Sequence, residues 1–270
     1  SLKGDIYFNS HKSLIDTLFL TSFSFSHKHK KKDIEKINVK IFEKSSLFYL
    51  SLNKFSILAC STNFKNRYPS HCDGLHLDIW YNKKPVFTDS GSFEYYSKHG
   101  DEDFKSFLST SYHNTIRLNK KDQIKKGPRF LWLTEMRSNN QIINSDKLYL
   151  QNFSYESQLK GSPIMTRLVD IIENKLIVKD VIQIKASHNT EIEQFWNYHK
   201  KSKLKISSNS IYFEEENLIL SFSASCSFEI YIQEGFQSLY YGKKEPRTRI
   251  VCLMKNNVST EINTTFEFLK

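Results

Sequence analysis

The chain has 270 residues, 39% of them apolar and 14% aromatic, with only 8 glycines and 5 prolines. That apolar share can fill a sizeable core and excludes a disordered chain, and no stretch approaches the about 20 apolar residues of a membrane span. A net charge of +10 favours a polyanionic partner or a lysine-rich solvated surface. Cys60, Cys72, Cys226 and Cys252 stand far apart with no C-x-x-C pair. This excludes a zinc ribbon and a disulfide-stapled mini-domain but leaves one bridge open.

The chain opens on Ser1-Leu2-Lys3, without an initiator Met or the pattern of a signal peptide, and is expected to be the cut end of a longer protein. Leu14, Leu18 and Phe25 recur near helical spacing, so residues 14–25 are expected to be helical. The basic run over residues 27–32 reads as a solvated loop, with a polyanion patch as the alternative. Residues 37–42 alternate as a strand, and 46–52 and 55–62 form a hairpin about Asn53-Lys54. Residues 75–81 place Leu75, Leu77, Ile79 and Tyr81 on one face and His76, Asp78 and Trp80 on the other. A turn at 82–85 returns the chain through 86–88. Strands are expected over 112–118, 129–136, 149–159, 165–171, 175–184, 191–199, 210–213, 218–223, 228–233, 249–254 and 261–268. So many short strands indicate an all-β fold, a large two-sheet antiparallel β-sandwich. It would span residues 36–270, after a short helical remnant and linker over 1–35.

Three turn-flanked segments carry the chemistry: residues 70–80, 89–92 and 113–115. They supply His71, Asp89 and His113, ligand types of a divalent metal such as zinc with an open position. Ordinary turn and hydrogen-bonding roles are the alternative. If 82–85 is the hairpin turn, Asp89 pairs near Leu77 rather than His71. Gly74 must then bend the chain, or the ligands meet across a neighbouring strand. Cys72 is a conceivable further ligand, and Asp73 reads as a turn-stabilising acceptor. Trp80 and Trp132 suit packing or a sugar-stacking platform. Arg67, Arg117 and Arg129 flank these segments and could clamp carboxylates bidentately. Residues 109–111 carry no base at nucleophile-elbow spacing, which excludes a serine hydrolase.

The stretch from Arg67 through Ser70-His71-Cys72-Asp73-Gly74 to Trp80 resembles the His-x-Asp-x-Leu motif of the heparinase II/III-like family. Thr88-Asp89-Ser90-Gly91-Ser92-Phe93-Glu94-Tyr95 resembles its Asp-x-Gly word, and Ser111-Tyr112-His113-Asn114-Thr115 its His-Asn-Thr word. Asp122-Gln123-Ile124 and Arg129-Phe130-Leu131-Trp132 are similar to words of a branch associated with bacterial surface-polysaccharide loci. Leu239-Tyr240-Tyr241-Gly242 and Thr264-Thr265 suit the family's closing strands. The resemblance implies an N-terminal α/α toroid, absent from this chain, against which the sandwich packs. It implies His71, Asp89 and His113 as ligands, with zinc the expected metal. It also implies β-elimination on a uronate-containing polysaccharide, in which a base removes the proton α to a carboxylate and an acid protonates the leaving oxygen.

The sequence departs from the family two residues before His71, where a lyase carries a catalytic His and this chain has Pro69. His76 is the substitute base to consider, with a surface or inter-domain contact as its alternative role. The expected function is therefore the C-terminal domain of a polysaccharide lyase-type protein acting on acidic bacterial surface polysaccharide, inactive by itself. The alternative is a non-catalytic polysaccharide-binding or assembly module with a structural metal. Substrate contacts are expected from Arg67, Arg117, Arg129 and Trp80 rather than from the 27–32 run. Nucleic acid has only the net charge behind it and is not expected as a partner.

Overall fold

A computed structural model describes residues 38–42, 45–61, 71–94, 102–127, 131–144, 147–185 and 188–269. The expected helix at 14–25, the basic run, Arg67, Pro69 and Arg129 lie outside them.

Among the described residues, seventeen strands form three antiparallel sheets. The first takes β1 (Asn38–Phe42), β2 (Leu47–Leu52), β3 (Phe55–Cys60), β4 (His76–Tyr81) and β5 (Lys84–Phe87) in chain order. After β5 come a short helix α1 (Glu102–Leu108), a 3-10 turn at Thr110–Tyr112 and β6 (Ile116–Leu118). Then follow β7 (Ser138–Asn144), β8 (Lys147–Asn152), β9 (Ile164–Ile172), β10 (Lys175–Gln183) and β11 (Thr190–Asn197). The chain closes with β12 (Ile206–Ser207), β13 (Ser210–Phe213), β14 (Leu218–Ala224), β15 (Phe228–Tyr240), β16 (Lys243–Asn256) and β17 (Thr260–Phe268). The eight-stranded sheet runs β12-β13-β14-β17-β10-β9-β8-β7, and the four-stranded one β15-β16-β11-β6.

The first and four-stranded sheets meet at an antiparallel bridge between Phe87 and Tyr198. Thr88 N–H donates to Asn197 O and His199 N–H to Val86 O on either side of it. One apolar core draws on all three sheets. At their junction Phe87 lies 5.3 Å from Phe266 and 5.7 Å from Phe213, and Trp196 lies 4.9 Å from Phe266, all edge-to-face.

Three expected strands take other forms. Residues 112–118 begin in the 3-10 turn, because Asp122 Oδ1 accepts the Thr110 N–H at 2.8 Å, and extend only from Ile116. Residues 131–136 bond back on their own loop (Gly127 N–H to Leu131 O, Leu133 N–H to Lys125 O) instead of joining a sheet. The strand at 149–159 ends at Asn152, and a turn carries Tyr155 inward, where its hydroxyl donates to Lys121 O. The short helix α1 has too few residues to show a helical period in sequence.

The core is not wholly apolar. Met165, Val169 and Ile171 of β9 and Leu176, Val178 and Ile182 of β10 point inward, and Arg167 and Asp180 occupy inward positions between them. The two are direct cross-strand partners and form a fully buried bidentate pair at 2.7 Å for both contacts. Asp180 also accepts from Gln194 Nε2 of β11 at 2.7 Å. Arg167 Nη1 donates to the carbonyls of Leu75 (2.5 Å) and Asn114 (2.6 Å). Removing one partner leaves an uncompensated buried charge. Arg167→Met is therefore expected to destabilise the fold by about 3–5 kcal/mol, read as a fall in the urea midpoint with unchanged slope. A midpoint within experimental error of the parent would refute this role.

A candidate metal centre

The segment entering β4 turns sharply: His76 N–H donates to Asp73 O at 3.0 Å, and Leu75 takes a left-handed φ of 67°. Gly74 sits where a Cβ would run into Asn152 Nδ2 and Gln123 Oε1. Its N–H donates to Gln123 Oε1, and its carbonyl accepts from Gln123 Nε2 and Thr115 Oγ1. This bend resolves the register problem of the sequence. Asp89 lies past the end of β5, and His71 is folded back toward it. Cys72 N–H donates to Leu108 O at the end of α1, which fixes the other side of the turn.

Three segments thereby converge, and one donor atom each of His71, Asp89 and His113 lies within 4.8 Å of the others. His113 Nδ1 is 2.6 Å from Asp89 Oδ2, and the rings of His71 and His113 have centroids 5.1 Å apart. His71 Nε2 is 3.1 Å from Ser92 Oγ. His113 is fully buried, and its Nε2 has no hydrogen-bond partner among the described residues. A buried imidazole nitrogen with nothing to bond is costly unless it serves as a ligand. Two imidazoles and a carboxylate are also a suitable donor set for a zinc-like ion. Burial alone would raise the Asp89 carboxyl, but His113 foremost, then His76 and His71, hold it well below the usual carboxylate range. The same contact raises His113, against the desolvation that would lower it.

His76 is buried beside this group, with 5% of its surface exposed. Its Nδ1 accepts the Asn114 N–H at 2.9 Å, so Nε2 carries the proton and faces Asp78 Oδ1 at 3.2 Å. Asp78 Oδ1 in turn accepts the Asp89 N–H at 2.6 Å. Both ring nitrogens of His76 are thus engaged in holding the segments together. Cys72 faces the other way, its thiol 3.7 Å from Ile124 O in a small apolar cluster, and burial pushes that thiol well up. None of the four cysteines is joined in a disulfide, so the one bridge left open by the sequence is not formed in this structure.

Of the other expected substrate contacts, Arg117 and Trp80 lie among the described residues. Arg117 on β6 is occupied bidentately by Glu193 at 2.7 and 2.9 Å and lies over Phe195. Trp80 stands near the far end of β4, about 13 Å along the strand from His76 at 3.3 Å per residue. Trp132 packs on the Cys72 cluster. Two residues to which the sequence reading gave no role of their own, Arg247 and Asn114, brace the centre. Arg247 on β16 is fully buried and donates to the carbonyls of Thr88 (2.9 Å), Asp89 (3.1 Å), Asn197 and Tyr198 (2.9 Å). Burial pulls its guanidinium down to about 9, and Asp89 opposes the fall. Asn114 donates to Leu77 O and accepts the Asn197 N–H, tying the His113 turn to β4 and β11. Only the Asn of the His-Asn-Thr word could have flagged either one in sequence.

Fold and geometry together define a β-sandwich domain with a His/Asp/His cluster set among loops that the sheets fix in place. The family profile described as Heparinase II/III-like, C-terminal matches residues 37–266, and the chain belongs to this family. No curated protein matches it in sequence. Among solved structures, the chain is similar to a heparinase III, the BT4657 gene product, at TM-score 0.71 and 18% identity over 97% of this chain and 42% of that one. A second heparinase III aligns at TM-score 0.72 and 15% identity, covering 98% and 44%. The heparan sulfate lyase HepC from Pedobacter heparinus aligns at 0.67 and 14%, covering 96% and 42%. The chain thus spans less than half the length of these structures.

Two measurements probe the centre. Protein purified without chelator, its histidine tag removed, should carry about one divalent ion per chain by elemental analysis, and His113→Ala should lose it. The parent with no stoichiometric metal would count against the cluster as a ligand set. Arg247→Met should weaken metal affinity about 10–100-fold by freeing the 88–90 segment, measured by competition with a chelating dye; unchanged affinity would remove Arg247 from the centre.

Proposed function

We propose that this chain is the β-domain of a polysaccharide lyase-type protein whose substrate is an acidic, uronate-containing glycan of the bacterial surface. The single observation carrying this reading is the convergence of His71, Asp89 and His113 in a member of the heparinase II/III-like family. The high net charge supports an anionic substrate. His71, Asp89 and His113 would hold a divalent ion, zinc by the donor set, which would supply positive charge at the site. Arg67, Arg117, Arg129 and Trp80 are the proposed substrate contacts. Arg117 would act through the part of its guanidinium that Glu193 leaves open.

A specific observation favours a second reading, a non-catalytic glycan-binding or assembly module with a structural metal. The base position two residues before His71 is Pro69. His76, the substitute, has its Nδ1 accepting from Asn114 and its Nε2 proton facing Asp78. A base needs a free lone pair within reach of the substrate proton, so His76 acts in this reading as a positioning residue for the Asp89 loop. Both readings have this chain inactive alone and separate only in the longer protein. Incubation of the chain with heparan sulfate or polygalacturonate should give no rise in the ultraviolet absorbance of unsaturated products. A metal-dependent rise, abolished by His76→Ala, would restore His76 as the base.

A further inference from the structure

The long hairpin of β15 and β16 ends in Leu239-Tyr240-Tyr241-Gly242-Lys243-Lys244. Here the apolar residues are open: Leu239 is 63%, Tyr240 67% and Tyr241 62% exposed. Lys243 Nζ lies 5.7 Å from the Tyr240 ring centre and Lys244 Nζ 4.4 Å from that of Phe236. The tip thus presents aromatic faces flanked by ammonium groups.

This tip is bonded to the loop that carries Asp89. Ser238 N–H donates to Ser90 O at 2.7 Å and Gly242 N–H to Phe93 O at 2.9 Å. Between them Gly91, at φ 77°, lies so close that a Cβ would run into the Ser238 carbonyl. The clamped loop also bears Ser92, which meets His71. The platform therefore starts where the His71/Asp89/His113 centre ends, and its place relative to that centre is fixed by backbone.

We propose that this hairpin tip is a subsite for an acidic glycan, taking sugar units that lie beyond those at the His71/Asp89/His113 centre. Pyranose rings present C–H faces that stack on tyrosine, and a uronate or sulfate on the same unit meets Lys243 or Lys244. The pairing of ring faces with ammonium groups decides for this occupant: Lys243 and Lys244 stand beside Tyr240 and Phe236, with the Glu94 carboxylate near Gly242 as an acceptor for sugar hydroxyls, which suits an anionic carbohydrate better than a purely apolar partner. The inference rests on the acidic-glycan reading and adds a location and a chain-length dependence to it.

The test measures binding of heparan sulfate oligosaccharides, from disaccharide to dodecasaccharide, to the metal-loaded chain by calorimetry at low salt. The variants are Tyr240→Ala/Tyr241→Ala and Lys243→Ala/Lys244→Ala, with melting temperature confirming that both fold. Binding of the dodecasaccharide should weaken about tenfold in either variant, and that of the disaccharide by less than twofold. The lysine variant should also show a shallower salt dependence. Equal weakening for both lengths, or none for either, would overturn the subsite, and no change would leave the tip as a surface for packing against protein. No binding of any length by the parent would instead overturn the acidic-glycan reading on which the subsite rests.

Discussion

The structure depends on one buried ion pair. Arg167 and Asp180 face each other on β9 and β10 of the eight-stranded sheet, in a position their neighbours give to Val, Leu and Ile. A buried pair of this kind offsets its desolvation only when its remaining donors and acceptors are used. Here they are used by the site. Arg167 bonds the carbonyls of Leu75 and Asn114, and Asp180 accepts from Gln194, whose Oε1 accepts from Trp196 and Thr264. The charge buried in the core thus becomes the anchor for the turn before β4 and for the His113 turn. The left-handed φ of Leu75 persists because its carbonyl is tied down in this way.

Arg247 does for the third segment what Arg167 does for the other two. Among the described residues its guanidinium donates to four backbone carbonyls, two of them on Thr88 and Asp89. A cation placed so binds a loop more tightly than neutral donors would, since charge-assisted hydrogen bonds are the stronger kind. His76 and Asp78 then link Asp89 to Asn114. The three metal-type side chains come from loops, yet each loop is held by a residue on a strand. Sites held so are more exact in geometry than free loops allow. The hairpin tip joins the same scheme from outside, through Ser238 and Gly242.

Much of this was legible before any coordinates. Period-two alternation located most strands, because one face of each must be buried, and the words around His71, Asp89 and His113 marked the centre. The misses share a physical cause. Residues 131–136 open with an apolar run that would suit a strand, yet the segment hydrogen-bonds back on its own loop, and Leu131 and Leu133 stay exposed. Residues 112–115 of the expected 112–118 strand gave way to the 3-10 turn that Asp122 fixes by accepting at Thr110. Arg167 and Asp180 left a trace that was readable: opposite charges at inward positions of neighbouring strands.

The sequence by itself determined an all-β domain of the heparinase II/III-like kind, and the residue types of its centre. The all-β reading follows from local rules, since alternation reports burial, and the family and the centre follow from the resemblance of the words around His71, Asp89 and His113. Only the tertiary structure decided that the donors of His71, Asp89 and His113 meet within 4.8 Å, that Arg117 is occupied by Glu193, and that Arg247 braces the Asp89 loop. These contacts join residues up to 159 positions apart, and the pairing of segments that far apart is fixed by sheet register and packing.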